Sequence, residues 1–150
     1  MDCYSCKNNT RKIQLSPSNI LFEGQYWNVD HAYPTALLGW FVIVFKRHAE
    51  GIHELTRNEF GELTGLVQKI SSFLHEELKT KKEYVACFSE AEHFNHIHFH
   101  IIPRGEQVTE DIRGPKVFSL LRVEEKDSVS KNEVIKLSNK LKKKLRTSTL

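Results

Sequence analysis

The chain has 150 residues, 39% apolar and 27% charged, which describes an ordinary soluble protein with one domain and a real core. Its net charge of +3 is too weak to argue nucleic-acid binding. No apolar run approaches membrane-spanning length, and the first six residues have neither a basic start nor an apolar signal core, so a cytoplasmic protein is expected.

Cys3 and Cys6 open the chain as a Cys-x-x-Cys pair. Alone, such a pair is half a zinc site, a redox pair, or two incidental thiols on a frayed terminus. No strand precedes it, which argues against a thioredoxin-like role. With Cys87 the cysteine count is odd, as fits a reducing compartment and not a disulfide framework. Asn8-Asn9-Thr10 reads as a turn. Residues 19–23 and 25–31 read as two strands around Gly24, with a loop from Asp30 to Pro34. Residues 39–46 read as a buried strand, and His48 follows it. Thr56, with Glu59 three residues later, forms a capping box that opens a helix. From Phe60 to Leu78 that helix carries one wide apolar stripe, which is scaffold. Glu83 to Ser89 reads as a strand, followed by a short connection through Glu92 and His93.

From Asn95 to Arg104, His96, His98 and His100 alternate with Ile97, Phe99 and Ile101. Period two marks a half-buried strand. The apolar residues then face the core, and the imidazoles line the other face about 6.5–7 Å apart. A row of imidazoles suits metal binding, or acid/base and nucleophilic work near neutral pH. Chance alternation on a solvated strand does not explain why only histidine fills the polar positions. Beyond Arg104 come a polar loop and a short strand from Phe118 to Val123. Ser130 and Glu133 make a second capping box, and Val134, Leu137 and Leu141 give the following helix a narrow apolar face. Its terminal lysines read as a solvated basic end that suits the helix dipole, in preference to an anion or nucleic-acid site. The expected fold is α+β: an antiparallel sheet of about five strands, one long helix on one face and a C-terminal helix, all in a single domain over residues 1–150.

The triad run closed by Ile101-Ile102-Pro103-Arg104 resembles the signature of the histidine-triad (HIT) family of nucleotide hydrolases and transferases. The segment Gly39 to His48 is similar to the family's Gly-His-x-Leu-Val-Ile-Pro-Lys-x-His, with Trp40 in place of its first His and Phe45 in place of Pro. The resemblance covers roughly residues 3–104 and leaves 105–150 as an extension. It implies a HIT-like fold and a homodimer. It assigns nucleophilic attack on an α-phosphate to His98 and stabilisation of the phosphate charge to His100. In zinc-containing, bacterial-type members the ligands of a closed structural zinc would be Cys3, Cys6, His48 and His96. An acidic residue near the second strand holds the ribose in the family, a role that would fall here on Asp30 or His31. Many members hold phosphate oxygens through a Gln and a Ser ahead of the triad, where this chain has Glu92 and His93; an ionised Glu cannot donate to phosphate. The implied activity is hydrolysis of an adenosine-containing phosphoanhydride or phosphoramidate, such as a dinucleoside polyphosphate, through a nucleotidyl-histidine. Three alternatives stand beside it. One is nucleotidyl transfer to a second phosphate, another is a nucleotide-binding adaptor with little turnover, and the third is an enzyme with one ion on His96, His98 and His100.

Overall fold

Five segments of extended, apolar-rich chain pair into one antiparallel sheet: β1 (Phe22–Glu23), β2 (Trp27–His31), β3 (Phe41–Phe45), β4 (Lys82–Ala86) and β5 (His98–Arg104). Their spatial order is β1-β2-β3-β5-β4, so β5 inserts between β3 and β4 although the chain reaches it last. Three helices accompany the sheet: α1 (Tyr4–Asn9), α2 (Arg57–Leu78) and α3 (Lys131–Thr147). The computed structural model describes residues 2–147. The architecture is the α+β arrangement expected from the sequence.

Register divides the sheet into two faces, because directly paired residues point the same way. The rows Val29–Ile43–Phe99 and His31–Phe41–Ile101 share one face. Asn28–Val44–His98 and Asp30–Val42–His100 share the other. The first face meets α2, whose stripe buries Leu63, Leu66, Ile70, Phe73 and Leu74 in the main core together with Leu137, Leu141 and Leu145 of α3. Each such side chain, fully buried, contributes about 1.5–3 kcal/mol. The Thr56–Glu59 capping box closes as expected, with backbone N–H to side-chain oxygen distances of 3.3 and 2.8 Å. Glu59 also takes a forked contact from Arg47, and Glu62 accepts from the backbone N–H groups of Gln25, Tyr26 and Trp27. The first turns of α2 therefore fix both the β1–β2 turn and the exit from β3.

Several boundaries differ from the sequence reading. Asp30 and His31 finish β2, where they pair with Val42 and Phe41, instead of opening a loop. Asn8 and Asn9 complete α1. β4 stops at Ala86, and Ser89 further on has a left-handed backbone, φ 52°. The strand expected over Phe118–Val123 is replaced by a 3₁₀ helix, Gly114–Leu120. Pro115 sits in its first turn, where a fixed φ and a missing N–H are tolerated. Val117 and Phe118 thereby reach a second apolar cluster around Leu37, Trp40 and Ile102, and only Leu121 makes a bridge, to Thr35.

Candidate active site and metal centre

β5 begins at His98, so His96 lies just ahead of the strand and not in a row along it. Its ring is fully buried and turned elsewhere: Nε2 lies 2.7 Å from the Phe45 carbonyl, and Nδ1 faces Cys3, Cys6 and His48. The three triad histidines cannot converge on one ion in this arrangement. His98 and His100 do face each other. Their ring centroids are 5.0 Å apart, closer than the 6.5–7 Å expected from strand spacing, because the rings lean together edge to face.

Each of these two rings has one nitrogen committed. Nδ1 of His98 donates to the His96 carbonyl at 2.7 Å. A neutral ring then carries its free lone pair on Nε2. Nδ1 of His100 instead accepts the indole N–H of Trp40 at 3.0 Å, which leaves its Nε2–H as a donor. Burial, then the nearby His98 and Arg122, push the His100 pKa down to about 3. Burial also lowers that of His98, with Arg122 adding to it, against the raising effect of the bond to His96. Ser89 seats the start of β5: its Oγ accepts the His98 backbone N–H at 3.1 Å and lies 3.3 Å from the His98 carbonyl.

Two cavities meet at His98. The larger, about 350 Å³, is lined by His98, His100, Ser89, Glu90, Phe88, Phe118 and Arg122. The smaller, about 130 Å³, has an apolar floor of Val42, Val44, Leu15 and Phe94 beside Asp30, His31 and Tyr33. Arg122 lines both.

The other sequence candidates are distributed unevenly around these cavities. Asp30 is buried on the triad face, and its carboxylate accepts from Ser18 Oγ and from the backbone N–H groups of Ile20 and His31. Burial raises its pKa against those bonds. His31 belongs to the opposite row and has both ring nitrogens engaged, Nδ1 with the Ala32 carbonyl at 2.6 Å and Nε2 with the Gly39 N–H at 2.9 Å. Glu92 and His93 line neither cavity. The Glu92 side chain is 89% exposed, and the His93 ring stacks on Tyr4 beside Asp2. Sequence reasoning gave no role to Trp40, Ser89 or Arg122. Trp40 was marked only by its departure from the family pattern.

A second cluster joins Cys3, Cys6, His48 and His96, with one ligand atom from each within 4.8 Å of all the others. The Nδ1 atoms of His48 and His96 are 3.2 Å apart, and each lies 3.4–3.5 Å from a cysteine sulfur. A tetrahedral zinc with ordinary bond lengths separates nitrogen from nitrogen by about 3.3 Å and sulfur from nitrogen by about 3.6 Å. The donor set and its spacing fit that ion. Outer contacts fit as well: Nε2 of His96 meets the Phe45 carbonyl and Nε2 of His48 meets Glu50, which leaves both Nδ1 atoms free to ligate. α1 delivers the cysteines, with Cys3 as its N-cap.

With this geometry in place, comparison with known proteins identifies the class. The model of the HIT domain matches residues 16–107, more than half of the chain, and the chain belongs to that family. Its fold is similar to that of a zinc-bound histidine triad family protein from Mycobacterium smegmatis, at 15% identity and a TM-score of 0.67 over 97% of this chain and 96% of that one. A histidine triad nucleotide-binding protein from Sulfolobus tokodaii, described as hypothetical, gives 18% identity and 0.68 over 96% and 92%. A diadenosine triphosphate hydrolase from Plasmodium falciparum gives 16% and 0.61 over 84% and 75%. At these identities the likeness is one of fold. No curated protein matches the chain.

Proposed function

We propose that the protein is a nucleotide hydrolase acting on an adenosine-containing phosphoanhydride or phosphoramidate, such as a dinucleoside polyphosphate. The observation that carries this reading is the His98 tautomer: Nδ1–H is held by the His96 carbonyl, and Nε2 is free where two cavities meet. In the first step Nε2 attacks the α-phosphorus, a P–N bond forms, and the bond to the leaving group breaks with its electron pair. The Nε2–H of His100 donates to a non-bridging oxygen as charge gathers there. In the second step water attacks phosphorus, the P–N bond breaks, and the nucleoside monophosphate leaves with a proton released to solvent. The apolar floor of the smaller cavity suits the base, and Asp30 at its edge suits a ribose hydroxyl.

The metal reading accompanies this. Cys3, Cys6, His48 and His96 hold one Zn²⁺ in a closed site with no open position, and the ion supplies folding energy and no chemistry. The reading also includes a homodimer joined through sheet and helix, for which β4 offers an open sheet edge, and residence in the reducing cytoplasm, which suits three free cysteines. Among the described residues no helix is long and apolar enough to cross a membrane.

The test is trapping of nucleotidyl-enzyme from an α-labelled dinucleoside polyphosphate by a quench in alkaline denaturant, which preserves a P–N bond. Label is expected on His98 of the wild type, with none on His98→Ala, whose turnover falls by at least about a thousandfold, the equivalent of about 4 kcal/mol of barrier. Label on another residue, or near-normal turnover by His98→Ala, refutes the assignment.

A further inference from the structure

Arg122 lies outside the matched HIT residues and outside every motif in the sequence, in the extension that follows the triad strand. Its place in the fold is fixed. The Arg122 N–H donates to the Pro34 carbonyl at 3.0 Å, while the Leu120 carbonyl accepts from the Ala36 N–H and the Thr35 hydroxyl, each at 2.9 Å. The backbone at Arg122 is left-handed, φ 56°, a conformation that is unfavourable for an L-residue and persists only where the surroundings impose it. The guanidinium carbon stands 4.9 Å from the centre of the Phe94 ring, and the side chain lines both cavities beside His98. No carboxylate pairs with it, although Glu90 lines the same larger cavity, and it makes no side-chain hydrogen bond among the described residues. It is the one Lys or Arg among the described residues lining the two cavities.

Resting on the nucleotide reading above, we propose that Arg122 is the phosphate-binding cation of this site, its guanidinium taking non-bridging oxygens of the phosphoryl group set against His98. A phosphate entering here meets two imidazoles, and His100, held neutral by its burial, offers a single uncharged donor. Phosphate charge in a partly desolvated site needs a counter-charge. Glu92 cannot supply one, and His93 is engaged with Tyr4 and Asp2 away from the cavities. A guanidinium carries five donors in a planar fork that matches phosphate oxygens, and among the described residues no side-chain or backbone acceptor takes any of the five. Phe94 offers a face that orients the fork without neutralising it. The position between the two cavities favours substrates that place phosphate at the boundary, with a nucleoside on one side and a leaving group on the other.

The experiment measures equilibrium binding of AMP and of adenosine to the full chain and to the R122Q and R122K variants, with melting temperature as the folding control. Wild type is expected to bind AMP at least about tenfold more tightly than adenosine. R122Q should lose about tenfold or more on AMP and under about twofold on adenosine, and R122K should recover only part of the loss, because an ammonium lacks the fork. Equal losses on both ligands overturn the proposal and mark Arg122 as a brace on Phe94. R122Q binding AMP as wild type does overturns it, as does a wild type with no preference for AMP. Turnover reports separately on the hydrolase reading. A wild type that hydrolyses no nucleotide, yet loses its AMP preference in R122Q, keeps the phosphate site and rejects the hydrolase. An active wild type with R122Q unchanged on AMP does the reverse.

Discussion

The indole N–H of Trp40 ends 3.0 Å from Nδ1 of His100, so the proton of a neutral His100 is left on Nε2. A single buried donor thus decides which nitrogen of His100 faces the substrate. Trp40 is fully buried, edge-on to both His100 and Phe118, so the indole also sets the ring's position. Trp40→Phe removes the donor and leaves a small void. The expected cost is about 1–3 kcal/mol of stability, from the lost packing and the unpaired imidazole nitrogen. A loss of about tenfold in kcat, with a smaller change in KM, is expected because the His100 donor acts chiefly as charge develops. Trp40→His, which restores a ring N–H, should regain part of kcat. A variant that loses stability but retains full kcat would show that Trp40 serves packing alone.

At the scale of elements, the shortest helix has the largest consequence. α1 has six residues, too few to hold as a helix unaided, and the residues it buries, Ser5 and Asn8, are polar. It is tied to the rest by the Tyr4 N–H to the His93 carbonyl, by Asn9 to the Phe45 and Lys46 carbonyls, and by the Cys/His cluster. Cys6→Ser, or a strong chelator, is therefore expected to remove stoichiometric zinc and lower the melting temperature by several degrees, at roughly 2–4 °C per kcal/mol for a chain of this size. His96 belongs to the cluster and also gives its carbonyl to His98, so some loss of turnover should follow, short of that in His98→Ala. Full zinc content in Cys6→Ser, or a melting temperature indifferent to chelation, counts against the metal reading. The elements themselves were largely legible. A capping box and a long stripe announce α2, and strict alternation announces β5, since both signals are local and periodic. The four cluster residues were legible only through the family pattern, because Cys3 and His96 are ninety-three residues apart in the chain. Ser89 and Arg122 carry no periodic or motif signal. Their roles come from left-handed turns and from contacts with distant segments, which a single sequence does not display. The 3₁₀ helix at Gly114–Leu120 misled for a related reason: an apolar run of this length reads equally as a strand, and Pro115 decides it.

Across the whole molecule, several imidazoles are folded into the interior uncharged, and this couples stability to pH. Burial pushes His31 down to about 4, against the opposing bond to the Ala32 carbonyl, and His100 down to about 3. His96 and His98 are lowered in the same direction, again chiefly by burial. In the unfolded chain these groups titrate near 6.5. Below that value the unfolded state takes up protons that the folded state refuses, so stability rises with pH in this range. The stabilisation is fully present above about pH 6.5 and is lost as pH falls toward the folded values, about 4 for His31 and about 3 for His100. Each fully coupled histidine contributes a slope of up to about 1.4 kcal/mol per pH unit, so these two alone give up to about 2.8. Two carboxylates act as well. Glu59, held at about 2 first by its bonds to Arg47, adds stability above its ordinary range that disappears further into acid. Asp30 has the opposite sign: its raised pKa favours the folded state in acid, and that advantage fades as pH rises through the folded value. The window from pH 6.5 to 5 lies between the ordinary histidine value and the folded values of His31 and His100. Denaturant unfolding at pH 7, 6 and 5 should show a steep fall in unfolding free energy. His31→Gln should reduce that slope by up to about 1.4 kcal/mol per pH unit, whatever its effect on absolute stability, and it leaves the Cys/His cluster untouched. A stability flat between pH 7 and 5, or a slope unchanged in His31→Gln, would mean that these rings take up protons inside the fold.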